Sequence, residues 1–376
     1  MPDERIRKVT MPKWGLSMTT GKIMEWLVAE GDEVTDGIDL AEIDTDKIAG
    51  ALESTSDGVL RRIVAPAGSD VPVGATIALV APAEVPDSEI DEAAAMAREQ
   101  LESGVVEEVA GPTVGSVEVD GRSISYATLG DGDEVVVLVH GYGGDKNSWL
   151  FVQEPLARER TVHAIDLPGH GTSSKDVGDG SLDTLARTVT GFLDALGISA
   201  AHLVGHSLGG AVVATVAAAH PDRVRSLTLV APAGFGPEVD ADYLRGFASA
   251  TSRRELKPHV GKLFADEGQV TRQLVDDLLK YKRLDGVSAA LDALLATLLN
   301  EDRQAIDAAA LLNEVRAPTV LVWGRADRVL PAPAAEALGD RASLIHLHVV
   351  DGAGHMVHME APSAVVAAVE SAIKEV

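Results

Sequence analysis

The chain has 376 residues, a length that suits two or even three domains of about 150 residues, and its 46% apolar content can fill a packed core. With 32 basic against 58 acidic residues the net charge is −26, which argues against a broad basic surface for nucleic acid or an anionic membrane. Cysteine is absent, which excludes disulfides, cysteine-ligated metal centres and a cysteine nucleophile.

Residues 1–80 contain an internal repeat. At an offset of 37, Gly21-Lys22-Ile23 falls on Gly58-Val59-Leu60, and Trp26-Leu27-Val28 falls on Ile63-Val64-Ala65. Gly31, Val34, Gly37, Leu40 and Ile43 likewise fall on Gly68, Val71, Gly74, Ile77 and Val80. Turn glycines and alternating aliphatics predict two similar antiparallel halves packed face to face. Leu40–Asp44, Thr45-Asp46-Lys47 and Ile48–Leu52 read as strand, tight turn and strand, with Lys47 at the tip. A lone lysine is ordinarily just an exposed side chain; the surrounding repeat sets this one apart. Asp44-Thr45-Asp46-Lys47-Ile48-Ala49 resembles the Asp-Lys turn of lipoyl domains, and the resemblance covers residues 6–80. It implies lipoate bound covalently to Lys47. The related biotinyl domains usually flank their lysine with methionines, whereas Asp46 and Ile48 stand here.

Residues 81–112 carry only Arg98 against nine acids, a net −8 in 32 residues. They read as a solvated, self-repelling linker, with an r.m.s. span of roughly 30 Å if it is a flexible coil. A short helix is compatible with it: Ser88 and Asp91 have capping-box spacing, and Gly104 could end it.

Residues 113–376 alternate strands and helices. Asp120-Gly121 between Val117–Val119 and Ile124–Tyr126 signals a hairpin. Continuous apolar strands follow at Val135–Val139, Val162–Ile165, Leu203-Val204, Leu227–Val230, Thr319–Val322 and Leu344–Val350. Repeated βα units imply a mostly parallel sheet covered on both faces. The alternation pauses over about 237–312, a helical stretch with the pattern of a cap inserted over the sheet.

Gly205-His206-Ser207-Leu208-Gly209 follows a short buried strand and precedes an apolar helix. That is the context of a nucleophile elbow, a sharp turn whose glycines avoid clashes while the serine hydroxyl is thrust outward. Asp327 follows the strand Thr319–Val322, and His355 follows the strand Leu344–Val350. A serine needs a base, and the base an orienting carboxylate; the chain order Ser207, Asp327, His355 suits that assembly. The loop His140–Gly144 can aim the N–H of Tyr142 or Gly143 at the site, where it would join the Leu208 N–H as an oxyanion hole. These features resemble the α/β-hydrolase superfamily over residues 113–376, whose eight-stranded sheet they imply. Asp166–Gly171 resembles a turn of the same family, structural rather than catalytic. His206 reads as a packed neighbour of the nucleophile. His346, His348, His355 and His358 could be grouped as a metal cluster, but His346 and His348 simply share one face of a strand, no carboxylate spacing completes a ligand set, and no metal is expected.

A lipoyl domain joined to an acyl-handling domain is the plan of 2-oxo acid dehydrogenase acyltransferases. Their usual catalytic motif, His-x-x-x-Asp-Gly, is absent, since His348-Val349-Val350-Asp351-Gly352 is one residue short. Nor does the acidic linker contain a recognisable basic subunit-binding domain. The fusion with an α/β-hydrolase fold resembles instead the acetyltransferase components of acetoin-cleaving dehydrogenase systems. That resemblance implies acetyl transfer from Lys47-borne dihydrolipoate to CoA through Ser207, His355 and Asp327. It also implies as partners a thiamine-diphosphate-dependent acetoin dehydrogenase component, dihydrolipoamide dehydrogenase, and a lipoate ligase or lipoyl transferase. The competing readings are a serine hydrolase that releases free acid, and a lipoyl carrier whose hydrolase domain is a scaffold. Met1–Arg5 is not followed by the apolar segment of a secretory signal, and no stretch reaches the roughly 20 apolar residues of a membrane span. A cytoplasmic protein is expected.

Overall fold

The 37-residue repeat folds into two matching four-stranded sheets. The computed structural model describes residues 5–13, 18–45, 49–103, 111–332 and 345–376, divided into two units, Met1–Gly111 and Pro112–Val376. In the first unit the strands are β1 (Arg7–Thr10), β2 (Thr20–Trp26), β3 (Glu33–Val34) and β4 (Asp39–Asp44). They are followed by β5 (Ala49–Glu53), β6 (Gly58–Ile63), β7 (Asp70–Pro72) and β8 (Thr76–Ala81). One antiparallel sheet has the order β1-β8-β6-β3 and the other β5-β4-β2-β7. The offset carries β2 onto β6, β3 onto β7 and β4 onto β8, so equivalent strands hold equivalent places. The turn glycines repeat as well. Gly31 and Gly68 have φ of 99° and 88°, and Gly37 and Gly74 both 83°, a region that a Cβ disfavours. Inward-facing Ile23, Leu40, Ile43, Leu60 and Ile77 are fully buried. Strands β4 and β5 pair antiparallel, with Asp44 opposite Ala49. Lys47 itself lies outside the described residues.

The acidic segment contains the helix its sequence allowed, longer than expected and packed rather than solvated. Helix α1 spans Asp87–Ser103, and its Ile90, Ala94 and Ala97 are buried against Val64, Leu79, Ala81 and Val85 of the first unit. It begins at Asp87, so Ser88 lies within its first turn, and Asp91 pairs with Arg62 at 2.7 Å instead of closing a capping box. Arg61 pairs with Asp87 at 2.7 Å and donates to the carbonyls of Pro82 and Val85. The repulsion expected from the acids is thus relieved locally by two arginines, while small apolar residues every third or fourth position supply the contact face. Burial, rather than the exposed ion pairs, holds this helix. Ile90→Ala is expected to lower the stability of the first unit by roughly 2–5 kcal/mol. Asp87→Asn should change it by about 1 kcal/mol or less. Calorimetric unfolding of the full chain, followed with both variants, measures the contrast.

The second unit contains an eight-stranded sheet. Its strands are β9 (Thr113–Val119), β10 (Arg122–Leu129), β11 (Val135–Val139), β12 (Thr161–Ile165), β13 (Ala201–His206) and β14 (Val224–Val230). A two-stranded cap hairpin follows, β15 (Leu299–Asn300) with β16 (Arg303–Gln304), and then β17 (Thr319–Gly324) and β18 (Ile345–Val350) complete the sheet. The order is β18-β17-β14-β13-β11-β12-β10-β9, parallel except where β10 meets β12 and β9. Successive residues of one strand enter opposite cores: Val137 and Val139 face one, Val136 and Leu138 the other. Helices α3 (Leu182–Ala195) and α4 (Leu208–Ala219) cover the first face. Helix α2 (Leu150–Leu156) and the C-terminal helix cover the second. Four helices form the cap between β14 and β17, namely α5 (Ala241–Ser249), α6 (Arg253–Gly261), α7 (Arg272–Lys282) and α8 (Val287–Leu298). Short α9 (Val357–Glu360) and α10 (Pro362–Lys374) end the chain. Among the described residues no helix is long and apolar enough to cross a membrane.

Candidate active site

Ser207 sits where β13 turns into α4, with φ 52° and ψ −117°. This is a strained conformation for a residue with a side chain, costing on the order of 1–3 kcal/mol. The surroundings impose it. Its N–H donates to the Val230 carbonyl at 2.9 Å, and its own carbonyl accepts from Ala233 N at 2.9 Å and Ala211 N at 3.2 Å. A Cβ at Gly205 would lie 2.3 Å from the Gly209 carbonyl oxygen, and one at Gly209 would lie 2.2 Å from that of Val139. The motif's two glycines therefore let helix, turn and neighbouring strand approach closely enough to hold Ser207 in this pose.

The candidate acid and base follow the last two strands of the sheet, β17 and β18. Past β17, Asp327 Oδ1 accepts from the amides of Val329 (2.8 Å) and Leu330 (2.9 Å), and Oδ2 lies 2.8 Å from His355 Nδ1. Both side chains are buried, at 0% and 3% exposure. A carboxylate accepts only, so Nδ1 carries the hydrogen and Nε2 is left as the basic nitrogen. His206 is the packed neighbour that the motif suggested, and it has a definite bond. Its Nε2–H donates to the His355 carbonyl at 3.0 Å, linking the serine's turn to the base's loop. Burial comes first, and then the neighbouring His358 and His355, in holding His206 well below the ordinary imidazole range. His358 lies between the rings of His206 (4.4 Å) and Trp149 (4.5 Å), and burial pushes it down to about 3. Both rings are thus neutral packing elements at neutral pH. His346 points elsewhere, facing Glu375 at 3.4 Å.

The glycine-rich loop after β11 offers fewer donors than its sequence suggests. Gly143 N–H donates to His170 Nε2 at 3.0 Å, while His170 Nδ1–H donates to the Pro168 carbonyl at 3.0 Å. Burial holds His170 at about 3, which keeps its ring neutral and able to accept. The turn Asp166–Gly171 therefore engages the Gly143 amide. The amides of Tyr142 and Leu208 have no partner among the described residues. The cap closes over this loop. Tyr142 Oη donates to the Leu291 carbonyl at 3.1 Å, and the Phe247 ring sits where a Cβ on Gly143 would be. Buried Lys282 donates to the carbonyls of Phe247 and Ala248 at the end of α5, and burial lowers its pKa to about 8.

Beneath the loop lies a buried ion pair that sequence patterns did not reveal. Lys146 Nζ and Asp166 Oδ2 are 2.6 Å apart, and Asp166 also accepts from the amides of Lys146 (2.7 Å) and Thr172 (2.9 Å). Desolvation alone would raise the Asp166 pKa, but the charges of Lys146 and His140 and these hydrogen bonds outweigh it and hold the group below the ordinary carboxylate range. A depressed folded value makes this stabilisation fully present above the unfolded pKa of about 4 and lost as pH falls through the folded value. Lys146→Met, which leaves Asp166 buried and unpaired, should cost roughly 3–5 kcal/mol in thermal unfolding at pH 7. The deficit should shrink toward acid pH as Asp166 takes up a proton.

A lipoyl-type β-domain and an α/β-hydrolase unit thus share one chain. Residues 7–80 match a family profile described as biotin-requiring enzyme, and residues 134–362 match the alpha/beta hydrolase fold. A dihydrolipoyllysine-residue acetyltransferase component of the acetoin cleaving system from Cupriavidus necator is 47% identical, with 94% of this chain aligned to 93% of that protein. One from Pseudomonas putida is 46% identical over 95% of each chain. A meta-cleavage product hydrolase from Pseudomonas fluorescens shares the fold of the second unit, at 22% identity and a TM-score of 0.63, covering 70% of this chain and 98% of its own. The chain belongs to the family of acetyltransferase components of acetoin cleaving systems.

Proposed function

We propose that this protein transfers acetyl from a dihydrolipoyl thioester carried on Lys47 to CoA, with Ser207 as nucleophile, His355 as base and Asp327 as its orienting acid. In this reading residues 1–80 are the carrier domain, 81–112 the connection and 113–376 the catalytic domain, with the cap at about 237–312. One observation carries it: a strained serine turn and a buried His355–Asp327 pair occur in a chain aligned almost end to end with named acetyltransferases.

The carrier assignment fits the fold, because Lys47 falls in the connection between paired strands β4 and β5. Lipoate bound there supplies a thiol on a long arm, which holds acetyl as a thioester. Ser207 Oγ attacks the thioester carbonyl while His355 Nε2 accepts its proton, and the Tyr142 and Leu208 amides donate to the oxyanion. Collapse breaks the C–S bond, His355 returns the proton to the departing thiolate, and acetyl remains on Ser207. CoA thiol then gives its proton to His355 and attacks the acetyl-serine. The second collapse breaks the ester C–O bond, reprotonates Ser207 and releases acetyl-CoA. Tethering raises the local concentration of the acetyl donor, to about millimolar for a linker that matches the span.

Upstream, an acetoin-cleaving thiamine-diphosphate enzyme loads the arm; downstream, dihydrolipoamide dehydrogenase reoxidises it; a lipoate ligase or lipoyl transferase installs it. All of these act in the cytoplasm. The test follows radiolabelled acetyl from the loaded, lipoylated chain, with and without CoA. Label in acetyl-CoA that disappears in Ser207→Ala is the expected result. Free acetate formed independently of CoA would identify a hydrolase, and label that stays in place would identify a carrier.

A further inference from the structure

The base His355 stands on a loop, Asp351–His355, that the sheet alone does not fix. Gly352 has φ 78°, and a Cβ on Gly354 would lie 2.6 Å from Ala265 N, so this backbone passes directly against the cap corner Gly261–Ala265. Three sets of bonds tie this corner to the segments that carry His355 and Asp327. The Leu263 carbonyl accepts from the amides of His355 (2.9 Å) and Met356 (3.1 Å). Arg328, next to Asp327, donates to the carbonyls of Gly261 (2.6 Å) and Phe264 (2.7 Å). Glu360, one turn beyond the base on α9, accepts from Ala265 N through Oε1 at 2.7 Å and from Gly354 N through Oε2 at 2.8 Å.

We infer that Glu360 is a positioning residue for His355, clasping the loop that carries the base to the corner of the cap. The chemistry requires a carboxylate. Two N–H groups from separate segments converge on one side chain, and only a group with two acceptor oxygens satisfies both. A glutamine of the same shape turns an NH₂ toward one of these amides, which loses a bond and adds a repulsion. Since Gly354 immediately precedes His355, a shift there moves Nε2 relative to Ser207 Oγ. In this chain the cap corner is accordingly part of the catalytic apparatus rather than a separate lid.

The assignment rests on the proposed roles of Ser207 and His355, and its test separates the two. Full-length lipoylated protein is compared with Glu360→Gln and Ser207→Ala. Two readouts are taken per folded molecule: labelling of the serine by a fluorophosphonate, and kcat and KM for acetyl transfer to CoA. Glu360→Gln is expected to slow labelling and kcat by about 10- to 100-fold, as displacement of a reacting group by about 1 Å does. KM should stay within about twofold. Glu360→Asp keeps both oxygens but withdraws them by one methylene. It should show a smaller loss of the same kind, and it serves where the glutamine variant does not fold. Labelling at the wild-type rate, or losses that vanish on correction for folded protein, would overturn the assignment while an inactive Ser207→Ala upholds the triad. A fully active Ser207→Ala would instead overturn the triad itself.

Discussion

Ser207→Ala is expected to reduce acetyl transfer to CoA by about 10⁴-fold or more, equivalent to roughly 5.5 kcal/mol of transition-state stabilisation. The variant loses the atom that receives acetyl, so the two-step route closes. Donors at Tyr142 and Leu208 remain, and direct attack by CoA thiol on the thioester can still use them, which sets a floor above the uncatalysed rate. Because the side chain is small and half-buried, KM for CoA and the unfolding temperature should stay close to wild type. The measurement is single-turnover formation of acetyl-CoA from preloaded protein. A decrease of less than tenfold would mean that the serine does not carry the acetyl group, and the mechanism would have to be rewritten as direct transfer.

Lys47→Arg should abolish turnover through the complete acetoin-cleaving system. Arginine keeps the positive charge but cannot form the amide to lipoate, so intact-mass analysis of protein from lipoate-replete cells should show no adduct. The catalytic unit is expected to be untouched, with Ser207 labelled by a fluorophosphonate at the wild-type rate. Free acetyl-dihydrolipoamide should restore acetyl-CoA formation, but only at the rate its concentration permits. At a tenth of a millimolar this is roughly tenfold below an arm with an effective concentration of about a millimolar. An adduct on the variant, or full turnover without one, would remove Lys47 from the proposed function.

Of these two sites, the first is far more completely described by the structure, and the difference traces back to the kind of signal each left in the sequence. The elbow around Ser207 was legible because backbone crowding demands glycine at 205 and 209, and such demands leave fixed spacings. Asp327 and His355 were legible because the parallel sheet places strand ends side by side, so residues just past two strands are brought together. The strands on either side of Lys47 were legible from the repeat. The helix of the acidic segment was legible from its helix formers, but its docking was not, because charge was read without its partners. Arg61 and Arg62 lie on β6, and a helix with small apolar residues at every third or fourth position docks readily once they are near. The choice between Tyr142 and Gly143 as donor could not be read along the chain, since it depends on His170, which reaches the loop from a separate turn.

What the sequence by itself determined is the architecture and the candidate reactive groups: a repeated β-domain, a doubly covered, mostly parallel sheet, and a serine, an acid and a histidine in a definite order. These follow from local rules of periodicity, turn stereochemistry and strand order, which a linear text preserves. Only the tertiary structure decided which groups support the reactive ones. His206 holds the His355 carbonyl, Lys146 offsets Asp166, Gly143 is engaged by His170, and Glu360 ties the base's loop to the cap. Each of these is a hydrogen bond or ion pair whose strength depends on distance, angle and exclusion of water, and those quantities exist only once separate segments have been packed together.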